Sequence, residues 1–221
     1  MYNDDVRNRI IEISKKKDSL YELNQMLSRQ AITYYCLCNS DNSLAKVKLN
    51  KNEYIVIATS KDVLTETKKY LNLDNFVELD AVNVLKNILR MENQGVIINL
   101  GDESQLTLDP DMLKLLYREV VVMDLYMKGG AHVLQYKNDF LLIEVEDMKL
   151  LSISLIEEEL RELNQKLNHN GKVVFKSWKE ILPYFVATQC NALGYNLNNK
   201  DMTIVKDPYL AWLYESPFQN S

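Results

Sequence analysis

Along the chain, apolar positions fall first at steps of three and four, then in short runs broken by turn residues, and the two rhythms alternate to the end. Val6, Ile10, Ile13, Leu20, Leu23 and Leu27 recur at helical spacing, so 4–30 predicts one amphipathic helix or two short ones. Three β-rich runs follow, at 32–38, 44–49 and 54–58. The groups between them, Asn39-Ser40-Asp41-Asn42 and Asn50-Lys51-Asn52, are tight-turn chemistry, and spacing this short predicts an antiparallel meander.

Helices and strands then alternate. Thr59-Ser60 precede a helical period and supply an N-cap, and Asp80 caps a second helix running through 92. Gly95 reads as that helix's terminator, and 96–100 as a continuous apolar strand buried on both faces. Asp109-Pro110 opens another helix, with proline in the first turn. Gly129-Gly130 follows it and marks the predicted boundary between an α+β domain over 1–128 and a second α+β subdomain over 129–221. In the second part, strands are predicted at 131–136, 140–145 and 173–175, and a capping box at Ser154 to Glu157. A long helix over 178–193 contains Pro183, which is expected to set its start rather than break it, and a short helix lies near 208–214. No Pro- or Gly-rich linker divides the halves, so close packing is expected. The predicted class is α+β, a mixed or antiparallel sheet with flanking helices.

Composition narrows the possibilities. With 47% hydrophobic and 26% charged residues, the 221-residue chain is neither disordered, collagen-like nor a coiled-coil rod. It is long enough to bury roughly 70% of its unfolded surface without a metal or disulfide staple. The formal charge of −5 is spread evenly, and no basic stretch is large enough for a nucleic-acid face. Lys15, Lys16 and Lys17 sit among Glu12, Asp18 and Glu22, as on a solvated helix face. The start of the chain is acidic and polar, without a secretory leader, and the apolar stretch at 120–123 is far too short to span a bilayer. Cys36, Cys38 and Cys190 are too few and too irregular for a disulfide framework. A cytoplasmic protein is expected, with no nucleic acid and no membrane as partner.

Candidate chemistry is sparse. His132 and His169 lie on different elements, without a neighbouring nucleophile and orienting group. Cys36 and Cys38 share one strand face and read as core packing, since zinc needs four ligands. Cys190 reads the same way, on the inner side of its helix. No phosphate-binding glycine loop occurs, and no cofactor is implied. One acidic stretch stands out: Glu144, Glu146, Asp147, Glu157, Glu158, Glu159 and Glu162 against Lys149 and Arg161. Helix N-terminal acids explain part of it, and the seven are the candidate docking surface for a basic protein. The aromatics between Trp178 and Phe218 read chiefly as core of the second half.

Between about 20 and 119 the sequence resembles the N-terminal domain of the SseB family. The likeness rests on Leu23-Asn24-Gln25-Met26-Leu27, a strand at 32–37, Glu53-Tyr54-Ile55-Val56-Ile57-Ala58-Thr59-Ser60, and Gly95-Val96-Ile97-Ile98-Asn99-Leu100-Gly101. Ala58 replaces the family's usual Phe and Leu100 its Pro, which puts the turn after Asn99 at variance with the family. The resemblance implies a binding module and carries no catalytic residues.

Three functions follow as expectations. The first is a non-enzymatic, cytosolic protein-binding module of bacterial type, sharpened to an immunity or accessory protein for a secreted effector such as a basic toxin. The second is a small hydrolase or ligand-processing enzyme using His132 and nearby carboxylates. The third is a homo-oligomer joined through the terminal aromatics.

Overall fold

A computed structural model describes residues 2–14, 33–49, 52–91, 94–168 and 170–218. The remainder of the predicted first helix, with Lys15, Lys16 and Lys17, and the loop residue His169 lie outside those residues. The chain divides into two compact units, 1–120 and 121–221. Each is α+β, with a mixed sheet flanked by helices.

In the first unit α1 (Tyr2–Ser14) precedes β1 (Thr33–Cys38), β2 (Lys46–Leu49), β3 (Asn52–Ala58), α2 (Lys61–Leu71), β4 (Asn75–Asp80), α3 (Ala81–Arg90), β5 (Gly95–Ile98) and β6 (Leu106–Leu108), and α4 (Pro110–Lys128) begins in it and ends in the second. The strand order is β4-β1-β3-β5-β6. The meander expected for the first three strands does not form as such. One edge of β3 is shared, its first half pairing with β2 and its last residues with β1, both antiparallel. The other edge of β3 pairs in parallel with β5, which requires the helical crossover that 61–90 supplies.

The predicted alternation explains the packing. Ile55, Val56, Ile57 and Ala58 are all buried, as are Val96, Ile97 and Ile98, so both faces of these central strands are covered. Val63 and Leu64 of α2 pack on Tyr35, Leu37, Val56, Ala58 and Ile97. Each such side chain contributes about 1.5–3 kcal/mol by burial. Ser60 caps α2 by accepting the Val63 N–H, and Asp80 caps α3 through Asn83. Gly95 begins β5 rather than ending a helix, because the Tyr54 ring lies where a Cβ would stand.

The second unit contains β7 (Gly130–Tyr136), β8 (Asp139–Phe140), β9 (Leu142–Val145), β10 (Met148–Ser154), α5 (Glu157–Lys166), β11 (Lys172–Ser177), α6 (Trp178–Ala187), β12 (Ala192–Tyr195), β13 (Thr203–Val205) and α7 (Tyr209–Tyr214). Its strand order is β11-β7-β10-β12-β13. Apart from β8, which pairs with β7 and has no named counterpart, the match to the first unit is strand for strand. β10 shares one edge between β9 and β7, both antiparallel, and pairs in parallel with β12 on the other. The outer strands β11 and β13 run antiparallel to their neighbours, as β4 and β6 do. The two units are one topology used twice.

Three expectations change here. The long helix over 178–193 ends at Ala187, before Thr188-Gln189-Cys190-Asn191, and 192–195 is taken up as a sheet strand. Pro183 sits inside α6, and the Ser177–Glu180 capping box sets the start instead. The capping box read at Ser154 is displaced: Ile156 is the N-cap of α5, and the Ser154 hydroxyl accepts the Ile156 N–H. Of the late aromatics Trp178, Phe185 and Tyr195 are buried, with Trp178 donating its indole N–H to the Leu125 carbonyl at 3.0 Å, whereas Tyr214 and Phe218 are exposed. Tyr126 and Trp212 stack at 4.0 Å.

Candidate functional site

The seven predicted acids are not brought together. Glu144 lies on β9 directly opposite Lys149, while its neighbour Ile143 packs with Leu134, Leu160 and Leu163 beneath α5. Strand alternation therefore turns Glu144 to the face away from α5. Glu146 and Asp147 form the β9–β10 turn, and Glu146 takes a positive φ of 52°. That turn is at the start of β10 and α5 follows its end, so seven residues of strand, about 20 Å, separate the two groups. Glu157 is ion-paired to Arg161 one helical turn on. Glu159 is buried and receives a hydrogen bond from Ser154. Only Glu158 and Glu162 stand exposed together, at i,i+4 on the outer face of α5. A continuous acidic surface is thus replaced by three separate groups, because the linear cluster straddles a full strand.

The built polar cluster lies elsewhere, and it occurs twice. After β5 the chain turns at Asn99, which is fully buried with φ of 57°. Asparagine tolerates this left-handed conformation better than other side chains except glycine. Its N–H donates to the Ile57 carbonyl at 2.8 Å, extending the parallel β3–β5 pairing by one bond. Its Oδ1 accepts from the Thr59 N–H at 2.8 Å and the Thr59 hydroxyl lies 3.1 Å away. Its Nδ2 donates to Ser104 Oγ at 2.9 Å and lies 3.0 Å from Thr59 Oγ1. Ser104 passes the connection to Asp102, which Arg7 of α1 grips through Nε and Nη2 at 2.8–3.1 Å. Burial alone pushes the Asp102 carboxyl up, but the hydrogen bonds from Arg7 and Ser104 and the guanidinium charge hold it below its usual range.

After β12 the same device appears at Asn196, buried, with φ of 51°. Its N–H donates to the Ile153 carbonyl at 3.3 Å, the position equivalent to Ile57. Its Oδ1 lies 2.9 Å from the Ser154 hydroxyl, which is shared with Glu159 Oε2 at 3.0 Å. Its Nδ2 donates to Asp201 at 3.0 Å. The turns match as well: the Asn99 and Asn196 carbonyls accept from Asp102 and Asn199. Where the first unit uses hydroxyls, the second uses the buried carboxylates of Glu159 and Asp201. Nearby, burial and then the charges of Glu159, Asp124 and Asp201 push the Tyr195 phenol well above its ordinary value. Each cluster ties a strand–helix corner to the following turn.

Sequence reasoning singled out Asn99 only as part of a resemblance, and it missed Asn196. A signal was available: Asn99-Leu100 and Asn196-Leu197, then Asp109-Pro110 and Asp207-Pro208, then Leu116-Tyr117 and Leu213-Tyr214, recur in order at nearly equal spacing.

The remaining candidates are placed as follows. His132 lies on β7 beside Ser154 of β10 and Phe175 of β11, and its ring meets Phe175 edge-on at 5.4 Å. Its Nδ1 is buried without a hydrogen-bond partner, and the Ser154 hydroxyl is directed to Glu159 and Asn196. A serine–histidine pair for acyl transfer is therefore not assembled there. Cys36 and Cys38 are buried in the sheet, and burial together with the Cys38 sulfur pushes the Cys36 thiol up to about 12. Both are core residues, inert as nucleophiles at neutral pH. Cys190 lies past the end of α6, in the loop before β12, with its sulfur 3.2 Å from the Thr188 hydroxyl. Among the described residues no group of three His, Cys, Asp or Glu is placed to hold a metal ion, and no helix is long and apolar enough to cross a membrane. Two shallow crevices, of about 330 and 290 Å³, flank α2 and α5 respectively, and His132 lines neither.

No protein-family model and no curated protein matches the chain. Among solved structures, Tic22 from Plasmodium falciparum aligns over 69% of this chain and 79% of its own, at 14% identity and a TM-score of 0.24. Anabaena Tic22, a protein of protein transport, aligns over 76% and 86%, at 8% identity and a TM-score of 0.24. Scores this low carry no argument about function.

Proposed function

We propose that this chain is a non-enzymatic, cytosolic protein-binding module of bacterial type, an immunity or accessory protein that holds a basic surface of a secreted effector. The observation that carries the reading is the doubled asparagine corner. In both units the buried polar groups of the strand–helix corner are spent on one another, in equivalent structural roles. The resemblance of 20–119 to the SseB family, whose motifs are structural, supports the same reading. The exposed pair Glu158 and Glu162 on α5 is the partner contact, since acids on an outer helix face meet a basic surface without being desolvated first.

The test begins with capture from extracts of the native host at physiological salt, followed by reconstitution of the two purified chains. One basic protein should bind at fixed stoichiometry, with an association rate that falls as salt rises. Reversal of both acids, Glu158→Lys with Glu162→Lys, should slow association about tenfold while the fold survives. A host extract that yields no partner, or an association indifferent to salt and to the reversal, overturns the proposal.

A further inference from the structure

The turn joining α5 to β11 carries Asn170-Gly171, the one Asn-Gly pair in the sequence. Asn170 is exposed, and the adjoining crevice of about 290 Å³, lined in part by Asn164, Gly171 and Lys172, admits water to this turn. Glycine after asparagine is chemically distinctive. With no Cβ on the following residue, its backbone nitrogen can approach the asparagine side-chain carbonyl closely. In this protein, however, Gly171 is held at both of its backbone polar groups by one side chain. Its N–H donates to Asn164 Oδ1 at 3.3 Å, and its carbonyl accepts from Asn164 Nδ2 at 2.9 Å.

We infer that Asn170 is a deamidation site of this protein and that Asn164 sets its rate by restraining the attacking nitrogen of Gly171. The reaction needs only water. The Gly171 backbone nitrogen gives up its proton to water or hydroxide and attacks Asn170 Cγ. A C–N bond forms, closing a five-membered succinimide, and the side-chain nitrogen leaves as ammonia. Water then adds to either ring carbonyl, opening it to aspartate or isoaspartate. The sum is asparagine plus water giving an acid plus ammonia. While the Gly171 N–H is engaged with Asn164 Oδ1, its proton is retained and its approach to Cγ is opposed. Asn164 is thus a positioning residue. Its loss frees the nucleophile, and the product places a new negative charge between α5 and β11, beside Lys172.

The test is peptide mapping by mass spectrometry after incubation of the full chain at mildly alkaline pH. Asn170 should deamidate faster than the exposed Asn138, and Gly171→Ala should suppress the reaction. Asn164→Ala should accelerate it roughly fivefold, the ratio expected for one hydrogen bond of ordinary strength. A free peptide spanning 167–173 supplies the unrestrained rate and stands in should Asn164→Ala fail to fold. The intact chain should react more slowly than that peptide. A chain that reacts as fast as the peptide, an Asn164→Ala rate equal to wild type, or Asn170 no faster than Asn138 overturns the inference. The partner-binding proposal is untouched by any of these results, because none of them involves a partner.

Discussion

The two units share a strand order and a corner asparagine, yet they anchor that asparagine with different chemistry. In the first, Asn99 is met by Thr59 and Ser104, and the turn is fastened to α1 by Arg7 and Asp102. In the second, Asn196 is met by Ser154 and Asp201, with Glu159 sharing the serine hydroxyl. What persists between the halves is the demand of the backbone: a left-handed residue whose side chain can both donate and accept. What varies is how that demand is met. A hydroxyl can reverse its proton to suit a changed neighbour, whereas a carboxylate accepts only.

The comparison is most severely tested at the asparagines themselves. Asn99→Ala and Asn196→Ala each leave buried donors and acceptors unmet, at about 1–3 kcal/mol, and force alanine to a positive φ at about 1–2 kcal/mol more. Each should lower stability by about 3 kcal/mol in urea titration. Trp178 and Trp212 both lie in the second unit, so fluorescence reports Asn196→Ala and far-UV dichroism follows Asn99→Ala. Asn→Asp should then separate the halves. At 196 the new carboxylate faces Asp201, so the loss should match or exceed that of alanine. At 99 it faces hydroxyls that can turn to donate, so the loss should be clearly smaller. Equal losses at the two sites would break the contrast.

A smaller effect concerns the fastening to α1. The native Asp102 carboxyl is held below its ordinary value, so its contribution is fully present above the unfolded value of about 4 and is lost as pH falls through the lower native value. Arg7→Gln should cost about 1–2 kcal/mol at neutral pH and shrink that acid-dependent component of the first unit's unfolding to what Ser104 alone sustains. An unchanged acid profile would show the pair to be idle.

Helix starts give a milder contrast. Ser60 caps α2 with its own hydroxyl, while α5 begins at Ile156 with Ser154 taking the Ile156 N–H. Ser60→Ala should cost about 1 kcal/mol, and Ile156→Ala should show no capping loss. The smallest expected change is on the outer face of α5, where Glu158→Lys with Glu162→Lys should leave thermal stability within about 0.5 kcal/mol. A larger shift would mean that those acids support the helix itself.

Much of the local structure is legible in the sequence. The helical period of Val63 and Thr67, the apolar run of 96–98 and the turn groups around 39–42 specify helix, buried strand and turn through rules that act within a few residues. The acidic stretch shows where such reading stops. Glu144 and Glu159 are near in sequence, yet a seven-residue strand carries the chain across the sheet between them. One ends beside Lys149 and the other inside a hydrogen-bonded corner. The end of α6 was equally hidden, since the apolar residues of 192–195 suit a helix as well as they suit the strand that pairs with β10.

The sequence by itself determined the class, α+β, along with the identity of most elements and the burial of Cys36, Cys38 and Trp178, because periodicity and side-chain size act locally and additively. Only the tertiary structure decided that β1 and β2 share one edge of β3, that the topology is used twice, and that Asn99 and Asn196 hold equivalent corners. Those facts depend on hydrogen bonds between residues about 40 positions apart, such as Asn99 with Thr59 and Asn196 with Ser154. A buried asparagine and an exposed one are the same letter in a sequence. The difference lies in whether the folded chain returns to that point with a matching donor and acceptor, which packing alone arranges.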